Sequence, residues 1–336
     1  MKVAFAIDFL VERTPEVFLL ELLLAGFEDA EIYCLAHAPG KILGRIEHHR
    51  IHSSPLSRLV QTPAQLTEKA WMIPSAAKGI KVAADVDKLI IISSGWGHLI
   101  QSAPQTERFV WLHEFAPEKL QLRGWKKLFA PYQRELKRNA LLREKHTAFA
   151  SETLARRLAV TDARVIRPGH KTDDYFLVPD EHHTGEYPYH LVLQKGADQA
   201  LVAELTEAAK AQGVELQFAD GQQCAATIAG MTHSARAVWA LIPGVFPYEA
   251  LGALCCGRPA VVLDSPEARE VLPSDGAWFF KGSIRETLAQ VNRDFLSPDK
   301  KALRRAGLKF NERLFKNQIR SWTQARPPRP EEDTTL

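Results

Sequence analysis

Short apolar runs without alternation recur along this chain, each bounded by turn residues. Val3–Ile7, Glu31–Leu35, Asp87–Ser94 and Phe109–His113 occupy the first half. Tyr189–Leu193, Ala237–Ile242 and Ala260–Leu263 occupy the second, where Val214–Phe218 is a further strand that alternates, with Glu215 and Gln217 between its apolar residues. A strand covered by helices on both faces reads this way, so the runs predict buried parallel strands. Helix signals lie between them. Thr14-Pro15-Glu16 offers a capping hydroxyl, a proline in the first turn and an acid at the positive dipole end, and Gly26 stops the helix. Strand, helix and strand in succession make a Rossmann-like start. Ser283–Asn292 and Lys300–Trp322 read as closing helices.

The stretch Ala235–Phe280 repeats this grammar most clearly. The run Ala237–Ile242 is broken by Pro243-Gly244. Pro247 can open a helix, small residues carry it to about Cys256, Gly257 stops it, and Arg258-Pro259 leads into the next run. In such a βαβ unit a ligand meets the helix N-terminus at the carboxyl end of the strand.

A length of 336 residues suggests two domains. The polar stretch from Lys171 to Tyr187 places a linker, giving domains over 1–170 and 188–305 with the linker at 171–187. The Pro-rich and then acidic residues 324–336 read as a disordered tail. Hydrophobic content of 46% with 25% charge is ordinary for a soluble globular protein. Asp8 inside the first apolar run argues for a strand rather than a signal peptide, and no run reaches the ~18 residues a spanning helix needs. The expected location is cytoplasmic. Cys34, Cys224, Cys255 and Cys256 show no ligand spacing and read as buried thiols.

Candidate chemistry is sparse. His113 ends a strand, where a side chain can face a cleft. His48, His49 and His52 cluster on a polar loop but lack a supporting shell, so no metal site is expected. Arg13 lies in the loop after the first strand. The one strongly biased stretch is Lys119–Lys145. Its cations include Arg123, Lys126, Lys127, Arg134, Lys137 and Arg138, and Trp125, Leu128, Phe129 and Tyr132 interleave with them. Cations mixed with aromatics suit an anionic membrane surface. They also suit RNA, but a net charge of +3 gives that reading little support and no nucleic-acid partner is expected.

Ala253-Leu254-Cys255-Cys256-Gly257-Arg258-Pro259 resembles the end of the donor-side motif of retaining GT-B glycosyltransferases of the family-4 type. Thr147–Leu158 resembles that family's strand, serine and helix before the domain crossover, and Arg164–Pro168 its following strand. The run from Pro39-Gly40-Lys41 to Ser53-Ser54 is similar to the same region of bacterial polysaccharide glycosyltransferases. The resemblance spans Met1–Trp322. It implies an α/β fold of two Rossmann-like parallel-sheet domains facing across a cleft, with a last helix, 306–323, crossing back to the first domain.

The resemblance further implies a glycosyltransferase that takes a UDP- or GDP-linked sugar as co-substrate, needs no other cofactor, and passes the sugar to a cell-envelope glycan or lipid-linked acceptor. It places His113 against the reacting sugar. Lys195 and the turn Gly244, Val245, Phe246, Pro247 and Tyr248 would meet donor phosphates, with Glu249 or Glu270 binding hydroxyls. Asp8, Arg13, Trp96 and His98 would lie on the acceptor side. The family's paired glutamates fall on Gly252 and near Gly244, and Glu249 is one helical turn from Gly252. Such enzymes dock on the inner leaflet through the N-terminal domain, which gives Lys119–Lys145 its reading. The alternative is a GT-B protein without catalysis that serves as a scaffold in envelope assembly.

Overall fold

A computed structural model describes residues 1–42, 44–114, 128, 130–175, 188–220, 225–242, 246–293 and 299–324. The first domain runs β1 (Val3–Leu10), α1 (Pro15–Leu24), β2 (Glu31–His37), β3 (Ile51–Ser53), α2 (Pro63–Glu68), α3 (Ile73–Gly79), β4 (Lys88–Ser93), β5 (Glu107–Leu112), α4 (Ala130–Leu141), β6 (His146–Phe149), α5 (Glu152–Arg157) and β7 (Arg164–Val165). The second runs β8 (Tyr189–Leu193), α6 (Gln199–Gln212), β9 (Glu215–Ala219), α7 (Ala225–Ser234), β10 (Ala235–Ala240), α8 (Tyr248–Cys255), β11 (Ala260–Leu263), α9 (Pro266–Val271), β12 (Ala277–Phe280) and α10 (Ile284–Arg293). Helices α11 (Lys300–Leu308) and α12 (Glu312–Gln324) close the described chain.

The strands form two sheets, a seven-stranded one in the order β3-β2-β1-β4-β5-β6-β7 and a five-stranded one in the order β12-β11-β10-β8-β9. Every pairing is parallel. Parallel strands need crossovers, and the crossover helices cover both sheet faces. That is why β1 is buried almost throughout and why its sequence does not alternate. Phe5 and Ile7 point into one layer with Leu19 and Leu20 of α1, while Ala4 and Ala6 point into the other with Leu89 and Ile91.

Local signals hold where they were read. Thr14 Oγ1 accepts from the Val17 amide at 3.4 Å with Pro15 in the first turn of α1. In the segment that resembles the family's strand, serine and helix, Ser151 caps α5 through the Leu154 amide at 3.0 Å. Gly257, in the left-handed region at φ +67°, follows α8. Cys34, Cys255 and Cys256 are buried and free, and burial pushes the Cys255 thiol up to about 12.

The strand order reverses between β1 and β4 in the first sheet and between β8 and β10 in the second. Loops leaving neighbouring strands in opposite directions open a crevice at the carboxyl ends. Helix and loop contacts hold the crevices facing each other, two of them made by α12 and α9. Helix α12 lays Phe315, Ile319 and Trp322 into the core of the first domain. Glu270 on α9 accepts from the amides of Glu152 and Thr153, at 2.9 and 2.8 Å, at the start of α5.

Candidate active site

The two crevices enclose a cleft of about 1170 Å³. The first domain contributes Arg13, Glu16, Phe18 and His113, and the second contributes Lys195, Phe246 and Tyr248. A side pocket of about 140 Å³ shares Glu12, Thr14 and Glu16 with the cleft and runs into the first domain beside Phe9, Trp96 and Glu114.

His113 stands one residue beyond β5. Its amide donates to the Ser93 carbonyl at 3.0 Å, which extends the pairing with β4 by one step. The ring is flanked by Trp111, centroid to centroid 5.6 Å, and by Phe246 from across the cleft at 6.4 Å. Nδ1 lies 3.0 Å from Glu16 Oε1. Nε2 is buried and has no hydrogen-bond partner. A buried ring nitrogen without a partner at a cleft wall awaits one from a ligand or water. Glu16 was legible as a helix-start acid, and its pairing with His113 was not. One side-chain ligand atom from each of Glu16, His113 and Glu114 lies within 4.8 Å of the others.

On the facing wall, Lys195 leaves β8 and its ammonium donates to the Arg13 carbonyl on the first domain. The Arg13 guanidinium donates to the Ile42 carbonyl at 2.8 Å and pairs with Glu21. Burial raises the Glu21 carboxyl against the pull of Arg13. Arg45, Lys171 and Lys316 line the same cleft. Pro247 caps α8, and the Tyr248 hydroxyl donates to the Gly169 carbonyl of the crossover segment. Trp239 is not in the cleft; it fills the core of the second domain and donates to His190 Nδ1 at 3.0 Å.

Several expected roles change. Asp8 lines the side pocket, but its oxygens accept from Ser93 and Ser94 hydroxyls and from the amides of Ser94, Trp96 and Gly97. It organises the loop after β4 and has no free acceptor capacity for a substrate. His98 is buried, bonds the Lys137 carbonyl at 2.9 Å and lines neither cavity; burial lowers it to about 4. Glu270, expected to bind donor hydroxyls, instead accepts from two amides at the start of α5 and does not line the cleft. Lys137 is not a membrane residue. It is 1% exposed, with its ammonium 4.7 Å from the Trp96 ring centroid, and burial pulls it down to about 8. His52 pairs with Glu31 and His49 with the Ala30 carbonyl, so these two loop histidines have separate partners. Gly244, Val245, Arg123, Trp125, Lys126, Lys127 and Phe129 lie outside the described residues, as does the side chain of Glu249.

Gly252, where the resemblance places the second glutamate, lies against a specific neighbour. A Cβ added to Gly252 would lie 2.6 Å from Cε1 and 2.8 Å from Cζ of Tyr175. The ring of this crossover residue takes the space a side chain there would need. Arg304 holds the Tyr175 carbonyl at 2.8 Å and the Cys255 carbonyl at 2.7 Å, pinning the segment to α8.

Solved structures share this two-sheet arrangement over nearly their whole length. Sucrose-phosphate synthase from Thermosynechococcus elongatus superposes with a TM-score of 0.68 at 13% identity, covering 96% of this chain and 98% of its own. HepE from Anabaena, solved with UDP, gives 0.64 at 14% identity, covering 96% and 99%. The fold is GT-B. A glycosyltransferase from Rickettsia africae gives 0.61 at 11% identity, covering 96% and 98%. No protein-family model matches this GT-B chain, and no curated protein sequence matches it. Identities this low establish the architecture, and function has to be argued from the site.

Proposed function

We propose that this protein is a glycosyltransferase of the retaining family-4 type that moves a sugar from a UDP- or GDP-linked donor to a cell-envelope glycan or lipid-linked acceptor. The observation that carries the reading is the cleft itself, where Lys195 and the start of α8 face the partnerless Nε2 of His113. A diphosphate needs a cation and helix-start amides, and the second domain supplies both kinds of group. A sugar needs polar groups that orient hydroxyls, and the first domain supplies His113. In the retaining family the donor phosphate serves as base, so the protein contributes positioning and stabilisation of the leaving charge. HepE, of the same fold, was solved with UDP and with UDP-glucose, which supports a nucleotide sugar as ligand.

Calorimetry across a panel of nucleotide sugars tests the reading. One UDP- or GDP-sugar is expected to bind, and Lys195→Ala to weaken it roughly tenfold to a hundredfold, the worth of one charge-assisted contact. A variant that binds as well as the parent would remove Lys195 from the site. A second reading, a scaffold subunit without catalysis, is favoured by the Tyr175 ring over Gly252, which leaves no room there for a hydroxyl-binding carboxylate. Silence across the whole panel would support it.

We also propose that α4 and its flanks touch an anionic membrane. Leu128, Tyr132 and Leu142 are 81%, 60% and 55% exposed beside exposed Arg134 and Arg138. Among the described residues no helix is long and apolar enough to cross a membrane. Each cation near an anionic surface contributes ~1 kcal/mol, so Arg134→Glu with Arg138→Glu should reduce binding to phosphatidylserine vesicles at low salt by about thirtyfold or more. Wild-type protein that ignores such vesicles would sink the idea.

A further inference from the structure

Glu16 sits in the first turn of α1, directly after the Thr14 cap and Pro15. The positive end of a helix favours an ionised carboxylate there. An ionised carboxylate only accepts hydrogen bonds, so the proton in the 3.0 Å contact belongs to His113 Nδ1. A neutral imidazole carries one proton. Its Nε2 is therefore a lone pair, and that nitrogen is buried without a partner in a residue that lines the cleft.

We propose that Glu16 is a positioning residue. It holds His113 as the Nδ1–H tautomer, which makes Nε2 a hydrogen-bond acceptor for a sugar hydroxyl. The assignment of a sugar as ligand rests on the nucleotide-sugar reading; the tautomer does not. The consequence is directional. A hydroxyl can donate to Nε2, while an ionised phosphate oxygen has no proton to give. The donor must then lie with its sugar at His113 and its diphosphate at the wall of Lys195. A sugar lacking that hydroxyl would leave Nε2 unpaired and be discriminated against. Phe246 on the other side of the ring limits rotation, so the pair is fixed by packing as well as by charge.

Two-bond proton–nitrogen correlations on the full-length, histidine-labelled protein in mildly alkaline solution test this, with His113→Ala used for assignment. Wild type is expected to show protonated Nδ1 and bare Nε2. Glu16→Gln should keep that pattern, since its amide oxygen still accepts, and Glu16→Ala should lose it. In turnover, Glu16→Ala should lose at least about tenfold in kcat with KM less affected, and Glu16→Gln should recover most of it. Binding of UDP-glucose should shift the Nε2 resonance, and UDP alone should not. A protonated Nε2 in wild type, or an unchanged tautomer in Glu16→Ala, overturns the proposal. So does a stoichiometric zinc-induced shift at His113 that needs Glu16, which would make the pair metal ligands. A correct tautomer that no nucleotide sugar perturbs leaves Glu16 as the positioning residue and overturns the glycosyltransferase reading instead.

Discussion

His113→Ala is expected to lose at least about a hundredfold in transfer activity while melting within a few degrees of wild type. Nε2 is a buried polar atom at the cleft wall with no protein partner among the described residues, so its hydrogen-bonding capacity is not used in holding the fold together. A hydrogen bond made in a desolvated site and strengthened in the transition state is worth ~3 kcal/mol, which corresponds to roughly a hundredfold in rate. The structural loss is smaller. The ring sits at the cleft edge between Trp111 and Phe246, and Glu16 can turn toward solvent in the cleft when its partner is removed. A loss of ~1 kcal/mol moves the melting temperature of domains this size by ~2–4 °C. The loss should fall mainly on kcat, because donor affinity rests on the diphosphate. Full activity in the variant would remove His113 from the site.

Gly252→Ala should reverse the sign of its effect on stability according to what stands at residue 175. In a helix interior, Ala is favoured over Gly by ~1 kcal/mol. Here the new Cβ would lie 2.6 Å from the Tyr175 ring, and overpacking of this kind costs ~1–3 kcal/mol. The ring cannot retreat with its backbone, since Arg304 ties the Tyr175 carbonyl to α8, and the His170 ring lies at 5.0 Å on another side. Overpacking therefore wins, and the single variant should lose ~1–2 kcal/mol in denaturant unfolding. In a Tyr175→Ala background the helix term is alone, and the same substitution should gain ~1 kcal/mol. A Gly252→Ala variant more stable than wild type would show that Tyr175 does not occupy the position in solution. The result also bears on function, because it reports whether the crossover segment blocks the place where the family carries a glutamate.

The strands were legible because their burial is two-sided. A parallel strand under helices on both faces must be apolar at every position, so β8 and β11 emerge from the sequence with the boundaries seen in the structure. Helix starts were legible where a capping side chain sits beside its own amides, as at Thr14. Helix α6 carries the same signals, Asp198 bonding the Ala200 amide at 2.9 Å and Gly213 in the left-handed region, yet it was not read. These features are local: the groups that decide them lie within one turn in sequence.

Contacts set by strand order were not legible. Glu16 and His113 are 97 residues apart, and they meet because β5 lies two strands from β1 in the sheet. The family resemblance makes Glu270 a hydroxyl-binding acid, but the packing of α9 on α5 turns it toward two amides of the other domain. Lys137 reads as a solvated cation in a basic run. Tertiary packing places its ammonium over the Trp96 ring, a contact no count of charges along a helix can contain. By itself, then, the sequence determined the parallel strands and the capped helix start at Thr14, because each depends on burial period or on neighbours within a turn, while the two-sheet architecture was legible through the family resemblance. Only the tertiary structure decided which polar side chains face the cleft and which are consumed in holding it, because that choice depends on which partner reaches each group first across the sheets.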